Sequence, residues 1–189
     1  MEMDKSALRH HYRRERALFL QNLSAQAHNS ILSQIQAHLL SLLPAESTQI
    51  GAFWPYGEEI DIRSLLYDLR YKKHGIFLPF ATQDHRMTFH LWDSPWPSHQ
   101  DQMHRTCADP QNPAIHPDFF IVPLLAFDEM NYRLGQGKGY YDRYFNALEK
   151  KFTSIGIAYE VQRCARLPHC AHDKALDFIV TEATIYRKK

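Results

Sequence analysis

Short apolar runs recur along the chain, each too brief for a buried helix and each set off by turn residues or by segments with helical spacing. They are TQIGAFW over 48–54, IFLPF after Gly75, DFFIV over 118–122, and two stretches over 153–158 and 177–181 with IGIAY and DFIVT at their cores. Runs of this length with branched and aromatic residues predict strands. The intervening segments predict helices. Residues 4–20 place Leu8, Tyr12, Ala17, Leu18 and Leu20 among many charges, with Asp4 or Ser6 as the cap. Ser24 opens a second helix carrying Ala27, Ile31, Ile35, His38, Leu39 and Leu42, closed by Pro44. Asp61 begins a third, with Ile62, Leu65, Leu66 and Leu69 on one side, and a fourth runs from Tyr140 to about Lys151. Residues 84–92 alternate and predict one more strand. The stretch 93–117, rich in Pro, Asp, His, Gln and Asn, reads as a long irregular connection with at most an edge strand. Helices alternating with apolar strands predict an α/β fold: one domain over 1–189, a largely parallel sheet, helices on both faces. Ligands in such sheets bind beyond the carboxyl ends of the strands, so the residues after 118–122 are the first place to look.

Charge and composition remove other classes. Lys and Arg total 22 against 21 Asp and Glu, a formal net charge of +1, which argues against a general nucleic-acid coat. With 44% hydrophobic residues and near-zero net charge the chain does not read as disordered. The longest apolar run, Phe119 to Phe127, is broken by Pro123 and falls far short of the roughly 20 residues a membrane helix needs. The first twenty residues carry no apolar core followed by a small-residue cleavage site. Three cysteines, odd in number and without CxxC spacing, fit a reducing compartment. The cytoplasm is the expected location, with no membrane and no nucleic-acid partner. Cys164, His169, Cys170, His172 and Asp173 cluster in sequence, but their spacings match no paired zinc pattern.

The segment RLGQGKGYYDRYF, Arg133 to Phe145, is the most informative. Gly135, Gly137 and Gly139 alternate, which lets backbone N–H groups approach an anion without Cβ obstruction. Arg133 and Lys138 add cationic donors suited to phosphate oxygens. The helix that follows can aim its N-terminus at the same anion, and Asp142 in its first turn can hold Mg²⁺ bridging phosphates. No Ser or Thr follows Lys138, so this is not a Walker A loop. Counted from Gly135, the third glycine of a dinucleotide fingerprint would fall on Tyr140, so it is not that either. Phosphate binding is the reading favoured over a flexible turn with incidental charge.

This segment and its flanks resemble the 5-formyltetrahydrofolate cyclo-ligase family. Four anchors carry the resemblance over nearly the whole chain: Lys5-Ser6-Ala7-Leu8-Arg9; Phe53-Trp54 followed by Glu58-Glu59-Ile60-Asp61; Pro117 through Phe145; and His172-Asp173 with Leu176-Asp177 and Val180-Thr181-Glu182. Leu124 and Asn131 stand where the family often has Gly. The resemblance implies a Rossmann-like architecture similar to the NagB/RpiA/CoA-transferase-like fold. It also implies ATP-dependent conversion of 5-formyltetrahydrofolate to 5,10-methenyltetrahydrofolate, with release of ADP and phosphate. On that basis Lys5, Arg9 and the run Arg133, Leu134, Gly135, Gln136, Gly137, Lys138, Gly139, Tyr140 and Tyr141 bind ATP. Lys138 and Arg133 are the catalytic pair that stabilises the transferring phosphoryl group. Trp54 and Glu59 contact the folate, and Asp142 and Asp173 bind Mg²⁺. Taken alone, Lys5 and Arg9 read as surface charges, Trp54 as core, Glu58 and Glu59 as helix N-terminal carboxylates and Asp173 as a cap. Pro79, Phe80, Met87, Phe89 and Trp92 read equally as pocket or core, and no spacing singles out Lys72, Lys73, Arg86, His99, His104 or Arg105 as a site for the folate's glutamate tail. A monomer is expected. A non-catalytic binding protein would lack a metal or phosphate residue, and an ATP enzyme for another substrate would differ over 50–105.

Overall fold

A computed structural model describes residues 4–189. Asp4 accepts a hydrogen bond from the Ala7 N–H at 2.8 Å and caps helix α1, Lys5–Gln21, which buries Leu8, Tyr12 and Arg16 one turn apart on a single stripe. Ser24 caps helix α2, Ala25–Leu40, through Ala27 N–H. The chain then alternates as predicted through strand β1, Gln49–Gly51, helix α3, Arg63–Tyr71, and strand β2, Gly75–Ala81. A hairpin leads to β3, Met87–Leu91, and the connection beyond it forms three two-residue strands: β4, His99–Gln100, β5, Thr106–Cys107, and β6, Ala114–Ile115. Strand β7, Phe119–Pro123, is followed by a small hairpin of β8, Ala126–Phe127, and β9, Arg133–Leu134. Helix α4, Tyr140–Ala147, strand β10, Thr153–Ile157, a 3-10 turn at Glu160–Gln162, and strands β11, Phe178–Val180, and β12, Ile185–Arg187, complete the chain.

The main sheet has the order β12-β11-β10-β7-β1-β2-β3-β6. Its five central strands are parallel; β12 pairs antiparallel at one edge, and at the other β3 runs antiparallel to β2 and β6 antiparallel to β3. Helices α2 and α3 cover one face, where Ile35, Leu39, Leu65, Leu66 and Leu69 pack on Ile50, Ile76, Ile121 and Ile155. Helix α4 covers the other. There the ring of Phe120 meets Phe89, Tyr144, Phe145 and Phe152 at centroid distances of 5.2, 5.7, 5.1 and 5.5 Å. Such aromatic pairs contribute about 0.5–1.5 kcal/mol each beyond the area they bury. They fix the glycine-rich segment, which runs straight into α4, against the sheet. Leu8 and Tyr12 of α1 pack with Leu125, Ala126, Leu134 and Leu167, all in segments that follow the carboxyl ends of β7 and β10. No helix among the described residues is long and apolar enough to cross a membrane.

The structure departs from expectation in its short elements. Helix α4 stops at Ala147 because the chain turns back there and Phe152 stacks on Phe145 at 4.9 Å. The loop after β7 holds the β8–β9 hairpin, organised by Asp128: Oδ1 accepts from Met130 and Tyr132 N–H, and Oδ2 from Leu167 N–H. Asn131 in its turn has φ +61°, a conformation Asn tolerates. The 93–117 connection contains the predicted edge strand, β6, and also a β4–β5 hairpin whose turn is held by the Asp101 carboxylate.

Burial pushes the Cys107 thiol from 9.0 up to about 12 and the Tyr159 phenol from 10.0 up to about 12. Unfolding returns both to their ordinary values, so in this window the unfolded chain holds fewer protons than the native one. Their contribution to stability is complete below pH 9 and is lost as pH rises toward 12. The urea midpoint is expected to fall progressively across that range, with part of the tyrosinate absorbance appearing only together with unfolding.

Candidate active site

The parallel strands end on a cleft of about 870 Å³. After β1 the chain continues extended through Phe53 and Trp54 and reverses at Gly57, φ +60°. The Glu59 N–H donates to the Tyr56 carbonyl at 3.2 Å, and Glu59 Oε2 accepts from the Tyr56 N–H at 3.1 Å, so the turn aims a buried carboxylate at the cleft. Arg105 reaches it from the β4–β5 hairpin: its Nη2 donates to both Glu59 oxygens at 2.9 Å while its guanidinium lies over the Tyr56 ring.

The glycine-rich segment forms the facing wall. Gly137 has φ +101°, and a Cβ there would stand 3.1 Å from the Arg9 guanidinium carbon. Gly139 caps α4 in the left-handed conformation, φ +66°, where a Cβ would approach Arg143 Nη1 to 2.9 Å. Both positions favour glycine through their positive φ, whereas the arginine ends a Cβ would meet are flexible. Gly135 has ordinary φ and open space around its Cβ position, so only close approach of a ligand would call for glycine there. Arg9 Nε donates to the Gly135 carbonyl at 2.9 Å, and Arg13 donates to Gln136 Oε1, which ties α1 to the loop. The first N–H groups of α4 have no intrahelical acceptor and open toward the cleft. Lys138 is exposed on the loop and donates to no protein acceptor among the described residues.

Arg133 is different. Its side chain is only 4% exposed, with Nη2 donating to Asp142 Oδ1 at 2.9 Å and Nη1 to the Lys174 carbonyl at 3.0 Å. Burial lowers its pKa from the ordinary value, and the Asp142 charge opposes that. Lys5 Nζ donates to Asp173 Oδ2 at 2.6 Å, and the same oxygen accepts from Cys170 N–H at 2.8 Å. Burial works against ionisation of Asp173, but the Lys5 ammonium and the Cys170 N–H outweigh it and hold the carboxyl below its ordinary value.

All the residues singled out in the sequence line this one cleft: Lys5, Arg9, Trp54, Glu59, Arg133 through Tyr141, Asp142 and Asp173. Of the residues left open, Pro79, Met87 and Arg105 line it, whereas Phe89 and Trp92 are core. Met103, Thr106, Arg143 and Asn146 also line it and carry no sequence signal except Arg143, the one cation of α4.

The sequence profile of the 5-formyltetrahydrofolate cyclo-ligase family matches residues 1–182. The chain belongs to this family. It is 44% identical to the 5-formyltetrahydrofolate cyclo-ligase of Mycoplasma genitalium over 88 residues, 45% of this chain, and the match spans about half, 53%, of that protein. It is 29% identical to the Haemophilus influenzae enzyme of the same name over 155 residues, 78% of this chain and 83% of that protein. The solved structure of Aquifex aeolicus 5,10-methenyltetrahydrofolate synthetase superposes with a TM-score of 0.79 at 28% identity, covering 98% of this chain and 93% of that one.

In this cyclo-ligase family member the two acidic candidates suit a magnesium ion that arrives with phosphates. Asp142 Oδ2 and Asp173 Oδ1 accept from no protein donor among the described residues, while their partner oxygens are fixed by hydrogen bonds. No three His, Cys, Asp or Glu side chains converge among the described residues. The ion's remaining ligands would have to be phosphate oxygens and water, the usual arrangement for Mg²⁺. Cys170, exposed and one hydrogen bond from Asp173, is expected to react with iodoacetamide before Cys164, whose thiol burial holds above its ordinary value, and before buried Cys107. MgATP is expected to slow Cys170 labelling, measured by peptide mass spectrometry, and labelling of Cys107 first would contradict the packing described.

Proposed function

We propose that this chain, as a cytoplasmic monomer and a single catalytic unit, uses the cleft to convert 5-formyltetrahydrofolate and ATP to 5,10-methenyltetrahydrofolate, ADP and phosphate. The observation that carries the reading is the meeting of a cationic glycine loop and a buried, oriented carboxylate on one cleft, within one chain of this family.

A formyl amide is a poor electrophile. Its oxygen attacks the γ-phosphorus of ATP, the bond to the β-phosphate oxygen breaks, and ADP leaves. The resulting iminium phosphate is attacked at carbon by N10. N10 loses its proton, the carbon–oxygen bond breaks, and phosphate departs with the five-membered ring closed. The protein's part is positioning and charge stabilisation. Loop N–H groups and Lys138 hold the transferring phosphoryl group, and Lys5 and Arg9 meet the phosphates from α1. Arg133 fixes Asp142 and, through the Lys174 carbonyl, the segment beside Asp173. Asp142 and Asp173 would hold Mg²⁺, which would neutralise phosphate charge. Glu59 accepts from the amino-pyrimidine edge of the pterin, which offers paired N–H donors, and Trp54 forms an apolar wall beside it.

The test is absorbance at the methenyltetrahydrofolate band with purified protein and 5-formyltetrahydrofolate. The band is expected to grow only when ATP and Mg²⁺ are both present. Intact ATP binding with no product would remove the folate substrate from this reading.

A further inference from the structure

Arg16 is a buried charge that the mechanism above does not use. Its side chain is only 7% exposed, in the stripe of α1 that faces the protein. Its Nε is buried with no hydrogen-bond partner, and its ion-pair contact, Glu58 Oε2, lies 3.9 Å away on a half-exposed side chain. A buried guanidinium nitrogen without a hydrogen bond is costly and calls for a reason.

Its surroundings supply one. Arg16 lines a small second cavity of about 10 Å³ together with Phe53, Glu59 and Pro123. Those three also line the main cleft, so Arg16 stands directly behind the wall that carries Glu59. Arg105 and the Tyr56 N–H bond the Glu59 carboxylate, Arg16 lines the same small cavity with Glu58 beside it, and the Glu59 charge acts on both Arg16 and Tyr141 of α4. A pterin edge needs an acceptor site on each carboxylate oxygen, yet Oε2 already accepts from both Tyr56 and Arg105. On the proposed reading a pterin edge competes with Arg105 for Glu59, and where it wins Glu59 loses its hydrogen-bonded cation.

We infer that Arg16 is a positioning residue for the folate half of the reaction: from behind the wall its guanidinium is the counter-cation that keeps Glu59 an oriented anion once substrate has displaced Arg105. The helix makes the arrangement rigid. Lys5, Arg9 and Arg16, at i, i+4 and i+11, fall within about 40° of one another around α1. One helix thus sets the nucleotide loop and the folate carboxylate in a common frame.

The inference rests on the folate reading, and the test separates the two. Arg16→Met keeps the length and removes the charge. It is expected to raise KM for 5-formyltetrahydrofolate about tenfold, through loss of the counter-charge near Glu59, with KM for ATP within about twofold. Arg16→Lys is expected to restore most of the folate KM, and in a Glu59→Gln background Arg16→Met is expected to add little further. A folate KM unchanged in Arg16→Met, both KM values rising together, or full additivity with Glu59→Gln overturns the inference while leaving the folate reading intact. Should Arg16→Met not fold, Arg16→Gln against Arg16→Lys carries the same comparison. A wild-type protein that forms no product overturns the folate reading and this inference with it.

Discussion

Replacing Lys138 with alanine is expected to lower turnover by about 10²–10³-fold, the usual consequence of removing one preorganised donor from a developing oxyanion or phosphoryl group. Lys138 sits between two glycines held at positive φ, is exposed, and has no acceptor within the described protein. Nothing in the fold depends on its ammonium group, so stability is expected to change by no more than about 0.5 kcal/mol. The dissociation of loss of rate from loss of stability is the signature. It is checked by product formation under saturating MgATP alongside a thermal melt of the same preparation. Turnover within about threefold of wild type would take Lys138 out of the phosphate site.

Arg133→Met is expected to do the reverse: to destabilise first and inactivate as a consequence. The guanidinium is almost fully buried and holds Asp142 Oδ1 and the Lys174 carbonyl together. Removing it takes the counter-charge from a largely buried carboxylate and leaves it only the Lys174 N–H, which typically costs about 3–5 kcal/mol. For a chain of 189 residues that corresponds to a fall in Tm on the order of 10 °C. Replacing both partners removes the orphaned charge, so Arg133→Met/Asp142→Leu is expected to melt above Arg133→Met alone although it stays inactive. Additive melting shifts in the two single variants and the double would show that the pair is not energetically coupled.

These contrasting outcomes for two cations of one motif mark what the sequence could tell. RLGQGKGYYD reads as a phosphate-binding loop because glycine, lysine and arginine leave a chemical signature at short range. It did not distinguish Lys138, which faces solvent, from Arg133, which is buried, because burial is decided by the β8–β9 hairpin and the segment around Lys174. The central strands and all four helices were legible, since their apolar periodicity and caps at Asp4 and Ser24 are local. The two-residue strands β4, β5, β8 and β9 were not. They are too short for any period to register, and their turns are set by the carboxylates of Asp101 and Asp128 bonding backbone amides nearby. Arg105 and Arg16 were equally silent: each meets the Glu59 region from an element distant in sequence.

The bond between Lys5 and Asp173 joins residues 168 positions apart. A chain emerging from the ribosome therefore carries Lys5 long before the carboxylate that fixes it. The glycine loop, too, is synthesised before Asp173 and before β11 can dock on β10. Translation products that stop short of Asp173 thus lack the pairing of Lys5 with Asp173, and on the proposed reading ATP cleavage waits until residue 173 has been made and β11 has docked on β10.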